Sequence, residues 1–341
     1  MSEYTKLYNI IKAKKILYIP IYSCFDYITG DLNFKADGNI NRFLTTFSFC
    51  NGYKSLTILY PPTGNNIEWF KNSCKNILYN VILKPCNYIV KSAKVERSLE
   101  FANNVFNDLE NLEEYDYIIV ESQHLFLKFY NNGYKNLIYW CPVCATDNKT
   151  RDFLEPFKEL DRYIFSIARN VIVASDDQVK YYKSITGKNP IQIKKLINRM
   201  LPCFDYETRE DIKNLFDKYD NCYKIFLPFR LTDKGYKMQE IFDYLYKFNG
   251  NKQFKVFYTN PNNCDIYQFA KNDSYKKLFI DNNFILVSKD RDTYYTIIDS
   301  CNVIIPYFED IEFICHAAID EFNFGNCQLC ANLEEFKNIL K

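Results

Sequence analysis

CYKIFLPFRLTDKGYKMQEIFDYLYKF, residues Cys222–Phe248, joins an apolar run to a basic turn and then to a stretch of helical period. The run reads as a buried strand. The turn delivers Arg230, Lys234 and Lys237 to the start of a helix, where cationic side chains and the unpaired N–H groups of the first helical turn can together hold a diphosphate. A basic cluster by itself is equally well a solvated loop, so the remainder of the chain has to decide between the two.

Outward from this segment the chain alternates strand and helix. In the first half, apolar runs at Lys15–Tyr22, Leu56–Leu59, Ile77–Leu83, Tyr117–Val120, Leu137–Trp140 and Asn170–Ala174 read as strands. Helical patterns at Asn39–Cys50, Val95–Asn111 and Phe153–Ala168 lie among them, and Pro61 and Pro62 stop the second strand. The pattern restarts at Tyr223–Leu227 and continues through Phe254–Tyr258, Phe284–Val287, Asn302–Ile305 and Gln328–Ala331. Strands that alternate with helices call for parallel sheets with right-handed crossovers. The expected fold class is therefore α/β, with two doubly wound, Rossmann-like domains facing a cleft. The charged stretch Leu201–Asn221, which contains Pro202, sets the expected boundary: domains 1–205 and 206–341. In open parallel sheets ligands bind beyond the carboxyl ends of the strands, and the Arg230 turn falls at such an end.

At 341 residues, 48% of them hydrophobic, the chain can bury two cores and is not disordered. Tyr and Phe number 29 each against 9 Gly, and with abundant Asn, Lys and Ile this reads as the imprint of an A/T-rich genome rather than a base-stacking surface. The formal charge of +1 supplies no global field for a polyanion, so any such partner has to be recognised by a local patch. Thirteen Cys, no apolar signal segment and no run long enough to span a membrane together point to the cytoplasm, the host's if the source is viral.

Several segments resemble the GT-B class of nucleotide-sugar glycosyltransferases. FRLTDKGYKM, Phe229–Met238, is similar to that class's Arg…Lys-Gly donor-phosphate motif, and DTYYTIIDSCNVIIPY, Asp292–Tyr307, to the helix and strand before the donor loop. FICHAAIDEFNFGNCQLC, Phe313–Cys330, resembles the segment in which an acidic residue grips the ribose. Within the class, motif order is most similar to the DNA β-glucosyltransferase type of T-even bacteriophages. IYWCPVCATD, Ile138–Asp147, resembles the strand that ends in the catalytic Thr-Asp of that type, with three additional residues.

The resemblance implies an N-terminal acceptor domain, a C-terminal donor domain and a UDP-sugar donor, with no further cofactor. It puts Arg230, Lys234 and Lys237 on the diphosphate, Asp320 or the adjacent Glu321 on the ribose, and Asp147 in the role of general base. His316, one turn before Asp320, is placed to touch the donor. The implied acceptor is a hydroxymethylated base in duplex DNA, for which Lys149 and Arg151 would contact phosphates. A cell-surface glycan, a lipid-linked sugar, or a non-catalytic nucleotide-binding role on the same fold are the alternatives.

Two patterns are set aside. Asp290-Arg291-Asp292 matches a metal-binding Asp-x-Asp but precedes a helix, where capping is the simpler role. Cys141-x-x-Cys144 and Cys327-x-x-Cys330 resemble zinc half-sites, yet they lie in or beside apolar strands without nearby His, so buried thiols explain them. For His124 the sequence indicates no partner.

Overall fold

The computed structural model describes residues 4–22, 32–35, 38–86, 95–141, 157–174, 176–193, 206–227, 245, 253–259, 284–287, 291–305, 328–329, 334–335 and 338. The chain divides into two compact units, Met1–Leu196 with Leu201–Cys203, and Ile197–Met200 with Phe204–Lys341.

The first unit is a parallel sheet of β1 (Lys15–Ile19), β2 (Ser55–Tyr60), β3 (Val81–Pro85), β4 (Tyr117–Val120), β5 (Leu137–Trp140), β6 (Asn170–Val173) and β7 (Ile191–Gln192). Its order is β3-β2-β1-β4-β5-β6-β7. The helices are α1 (Thr5–Ile11), α2 (Gly38–Phe49), α3 (Ile67–Ile77), α4 (Val95–Asp108), α5 (Gln123–Asn131), α6 (Lys158–Ile167) and α7 (Asp176–Thr186). Central strands such as YIIV and LIYW are apolar almost throughout because helices cover both faces of a doubly wound sheet. The helices show the complementary period: α3 buries Phe70 and Cys74, one turn apart, and α6 buries Ile164 and Phe165. Ser122 caps α5 by accepting the Leu125 N–H. Aromatic rings fill the interior, with Tyr18 lying 5.3 Å from Phe43, 5.1 Å from Phe47 and 5.6 Å from Trp140 between centroids. The abundant Tyr and Phe thus serve packing in this unit, as their buried positions show.

Two strand runs of the first unit differ by more than one residue from those read in the sequence, and the helix read as Val95–Asn111 ends at Asp108. The first strand ends at Ile19 rather than Tyr22, because Pro20 has no N–H with which to continue the ladder. The run Ile77–Leu83 is not one strand: α3 continues through Ile77, Asn80 turns the chain at φ 45°, and β3 begins at Val81. β3 is an edge strand with Ile82 52% exposed, which weakened its apolar signal.

The second unit repeats the plan with β8 (Tyr223–Leu227), β9 (Phe254–Thr259), β10 (Phe284–Val287), β11 (Val303–Ile304) and β12 (Gln328–Leu329), in the order β10-β9-β8-β11-β12, all parallel. Helix α8 (Glu210–Asp217) packs against α9 (Arg291–Ser300), and Phe216 stacks on Phe257 with centroids 3.8 Å apart. The chain entering α8 is tied to α9. Glu207 N–H donates to Asp292 Oδ1 at 3.1 Å, Arg209 N–H donates to Thr296 Oγ1 at 3.0 Å, and Tyr206 OH donates to Asp299.

Candidate functional site

A doubly wound sheet reverses its winding at one point, and there the loops leaving two adjacent strands diverge to opposite faces and open a crevice. In the second unit that point lies between β8 and β11, paired through Val303↔Ile225 and Ile304↔Phe226. The segment leaving β8, residues 228–244, carries Arg230, Lys234 and Lys237; the segment leaving β11 carries His316, Asp320 and Glu321. All six residues lie outside the described residues, but the two strands from which their segments depart are neighbours at the switch point.

In the first unit the reversal falls between β1 and β4, paired from Ile16↔Tyr117 to Ile19↔Val120. Asp147, Lys149 and Arg151 belong to the segment that leaves β5, the next strand along, and they too lie outside the described residues. What is described at this switch point is a polar network, buried at Tyr18 and Glu121 and part-buried at Asn39 and Arg42, that the sequence reading missed. Glu121 follows the last residue of β4 and is 1% exposed. Its Oε1 accepts from Tyr18 OH at 2.7 Å and from Arg42 Nη2, and its Oε2 accepts from the Ile21 N–H at 2.8 Å. Arg42 Nη1 donates to Asn39 Oδ1 at 2.9 Å, and Asn39 Nδ2 donates to the Ile21 carbonyl at 2.9 Å, closing a ring of hydrogen bonds. The guanidinium also lies over the Trp140 ring, 5.2 Å from its centroid.

Helix α2 brings Asn39 and Arg42 to the same side through their three-residue spacing. Burial alone would lower the Arg42 guanidinium, but the Glu121 charge and hydrogen bond outweigh it and raise it overall. Burial, reinforced by the Glu121 charge, holds Tyr18 well above the usual phenol range, so it stays a donor. Taking the Glu121 carboxylate out of water costs several kcal/mol, and its three donors, one of them the largely buried Arg42, offset that cost. Arg42 Nε remains buried without a partner among the described residues. The available signal in the sequence was Glu121 itself, a carboxylate set directly against the apolar strand YIIV.

A second buried carboxylate braces β5. Asp161 on α6 accepts from Tyr139 OH at 2.6 Å and from Gln123 Nε2 at 3.1 Å. His124, for which the sequence indicates no partner, has one: Nδ1 lies 2.8 Å from Ser98 Oγ, and burial lowers its pKa. Cys141 is a buried thiol, and no cluster of metal-ligating side chains occurs among the described residues. Asp292 sits in the first turn of α9, where it accepts the Glu207 N–H, and Asp290 lies outside the described residues. No described helix is long and apolar enough to cross a membrane.

No protein-family model matches the chain, and no curated protein matches it in sequence. Solved structures do match in fold. HepE (Alr3699) of Anabaena, in complex with UDP and glucose, is similar at a TM-score of 0.56 and 13% identity, over 96% of this chain and 89% of that one. Sucrose-phosphate synthase of Thermosynechococcus elongatus is similar at 0.57 and 13%, over 93% and 80%. UGT89C1 of Arabidopsis thaliana, complexed with UDP, is similar at 0.51 and 10%, over 96% and 83%. The fold is that of the GT-B glycosyltransferases.

Proposed function

We propose that the protein is a glycosyltransferase that moves a sugar from a UDP-sugar to an acceptor hydroxyl. The observation that carries this reading is the β8/β11 switch point. There two adjacent strands send out the segment with Arg230, Lys234 and Lys237 and the segment with His316, Asp320 and Glu321. A nucleoside diphosphate needs both chemistries side by side: cations for its phosphates and a carboxylate for its ribose hydroxyls. The complexes of HepE with UDP and glucose and of UGT89C1 with UDP, on the same fold, support the choice of donor.

In this reading residues 206–341 hold the donor and residues 1–205 the acceptor. Arg230 presents a planar fork to two phosphate oxygens, Lys234 and Lys237 add point charges, and Asp320 or Glu321 accepts from the ribose. The acceptor oxygen attacks the anomeric carbon as Asp147 takes its proton, and the bond to the β-phosphate breaks with its electron pair leaving on UDP. Positive groups fixed around that phosphate stabilise the charge as it develops, so the step asks for no metal.

Calorimetry with UDP, followed by a panel of radiolabelled UDP-sugars tested for slow hydrolysis without an acceptor, examines the donor. Absence of both binding and turnover would sink the reading. The duplex-DNA acceptor rests on the motif resemblance alone. It is tested by transfer to hydroxymethylated against unmodified duplexes, and transfer only to a glycan or lipid-linked sugar removes it.

A further inference from the structure

Charge is unevenly spread over the first unit. Residues 4–19 and 38–59 contain Lys6, Lys12, Lys14, Lys15, Arg42 and Lys54 and not one Asp or Glu, in a chain whose formal charge is only +1. Lys6 donates to the Asn189 and Pro190 carbonyls and Arg42 pairs with Glu121, but Lys12, Lys14 and Lys54 stay exposed. The loops that carry these three enter β1 and β2 and are laced together: the Ala13 N–H donates to the Gly52 carbonyl at 2.7 Å, and the Lys54 N–H to the Lys14 carbonyl at 2.8 Å. Aromatic rings accompany the cations. Tyr4, Tyr8 and Lys12 follow one another at four-residue spacing along α1, with the Lys12 ammonium 5.6 Å from the Tyr8 centroid. Tyr8 in turn packs on Gly52, where an added Cβ would fall 2.4 Å from its ring. Phe49, the last residue of α2, stacks on Tyr4 with centroids 5.0 Å apart and is 59% exposed. At the neighbouring entry to β4 stand Glu113, Glu114 and Asp116, the last 3.8 Å from Lys14, and they bound the patch on that side.

Lysines alone would suit any polyanion. An exposed phenyl ring gains only where apolar material receives it, as the boundary between headgroups and acyl chains of a bilayer does and the phosphate rim of a duplex does not. A bilayer also asks for no groove, which suits side chains carried on loops and a helix end. The patch lies at the amino ends of β1 and β2, whereas ligands of open parallel sheets bind beyond the carboxyl ends, so contact here leaves that edge uncovered. We propose that this face, Phe49 on Tyr4 and Tyr8 together with Lys12, Lys14 and Lys54, docks the protein on the surface of a membrane that carries anionic lipid. The ring enters the headgroup region and the ammonium groups meet the lipid phosphates, so the contact is peripheral. Each lysine near such a surface raises partitioning about fivefold, and burial of the exposed part of one phenyl ring about as much, so docking is reversible.

The test is sedimentation of the full-length protein with sucrose-loaded vesicles of phosphatidylcholine, with and without phosphatidylserine. The wild type should pellet with the phosphatidylserine vesicles and stay in solution with phosphatidylcholine alone. Pelleting should fade as salt shortens the screening length from about 10 Å at 0.1 M toward about 3 Å at 1 M. Lys12→Gln with Lys54→Gln should lower partitioning about 25-fold, and Phe49→Ala about fivefold. Both should melt close to the wild type, because the side chains removed are exposed. Lys213→Gln with Lys218→Gln makes the same charge change at exposed positions of the second unit and should leave pelleting intact. A wild type that ignores anionic vesicles, or pellets equally with neutral ones, overturns the proposal. So does an equal loss in the Lys213/Lys218 variant, since net charge and not this face would then govern. Phe49→Ala that partitions like the wild type overturns the insertion and with it the choice of a bilayer. A duplex-DNA gel shift that the Lys12/Lys54 variant loses, alongside a wild type indifferent to vesicles, would make the face a nucleic-acid one. None of these outcomes depends on whether the protein transfers a sugar.

Discussion

Asp161→Ala should destabilise the first unit by about 3–5 kcal/mol. The carboxylate is fully buried on α6 and holds two donors from two other elements, Tyr139 OH of β5 at 2.6 Å and Gln123 Nε2 of α5 at 3.1 Å. A hydrogen bond to a charged group contributes about 1.5–3 kcal/mol, the shorter bond toward the upper end and the longer toward the lower. Loss of both leaves a buried phenol and a half-buried amide without this acceptor. For a domain of this size about 1 kcal/mol moves the melting point by about 2–4 °C, so the variant should melt about 6–20 °C lower. Tyr139→Phe removes only the shorter bond and should cost about 1.5–3 kcal/mol. Because that bond can be lost only once, the double variant should fall short of the sum by a coupling of about 1.5–3 kcal/mol. Urea unfolding followed by tryptophan fluorescence and circular dichroism measures all four proteins. Additivity within about 0.5 kcal/mol would refute the argument that Asp161 braces β5 through Tyr139.

Arg230→Ala and Lys234→Ala should each weaken UDP binding by about 1.5–3 kcal/mol, measured by calorimetry, with unchanged circular dichroism. Asp320→Ala should impair UDP more than inorganic pyrophosphate; if Glu321→Ala does so instead, the ribose contact is one residue further on. Asp147→Ala should abolish transfer while sparing UDP affinity, since a base acts in the chemical step. His124, whose folded pKa lies below the usual 6.5, binds its proton more readily in the unfolded chain. Stability should therefore fall as pH drops below that value, and the loss should shrink in His124→Gln, read from melting curves across pH. Burial pushes the Cys86 thiol up to about 11 and Cys50 to about 12. Both keep their protons in the folded chain where the unfolded chain has lost them, so stability should decline as pH rises from about 9 toward those values. Of the described cysteines, half-buried Cys222 should react first with iodoacetamide in the native protein, which peptide mapping would show.

Much of the fold was legible because its signal is local. Tyr117–Val120, Leu137–Trp140, Tyr223–Leu227 and Phe284–Val287 are strands with the bounds their apolar runs suggest. A short parallel strand covered on both faces has to be apolar throughout, and that composition is visible without any partner. The edge strand β3 lacked that signal, since part of it faces solvent, and its run was merged with the end of α3. The alternation of strand and helix likewise announced two doubly wound sheets, because a crossover helix is the short way to return a parallel strand.

The order of strands, and with it the position of each switch point, belongs to the tertiary structure. Nothing in the composition of β4 says that it lies beside β1 rather than β3. The same holds for the site. Arg230, Lys234 and Asp320 were singled out by residue type, spacing and resemblance, whereas no motif or spacing drew attention to Arg42 or Glu121. They meet across 79 positions in sequence, and Tyr18 reaches Glu121 across 103. The chain by itself determined which segments became strands and helices, because that choice depends on side chains a few residues apart. Whether a charge would be solvated or buried against its opposite was decided only when β1, α2, β4 and β5 came together, since desolvation depends on every atom around the group and not on its neighbours in sequence.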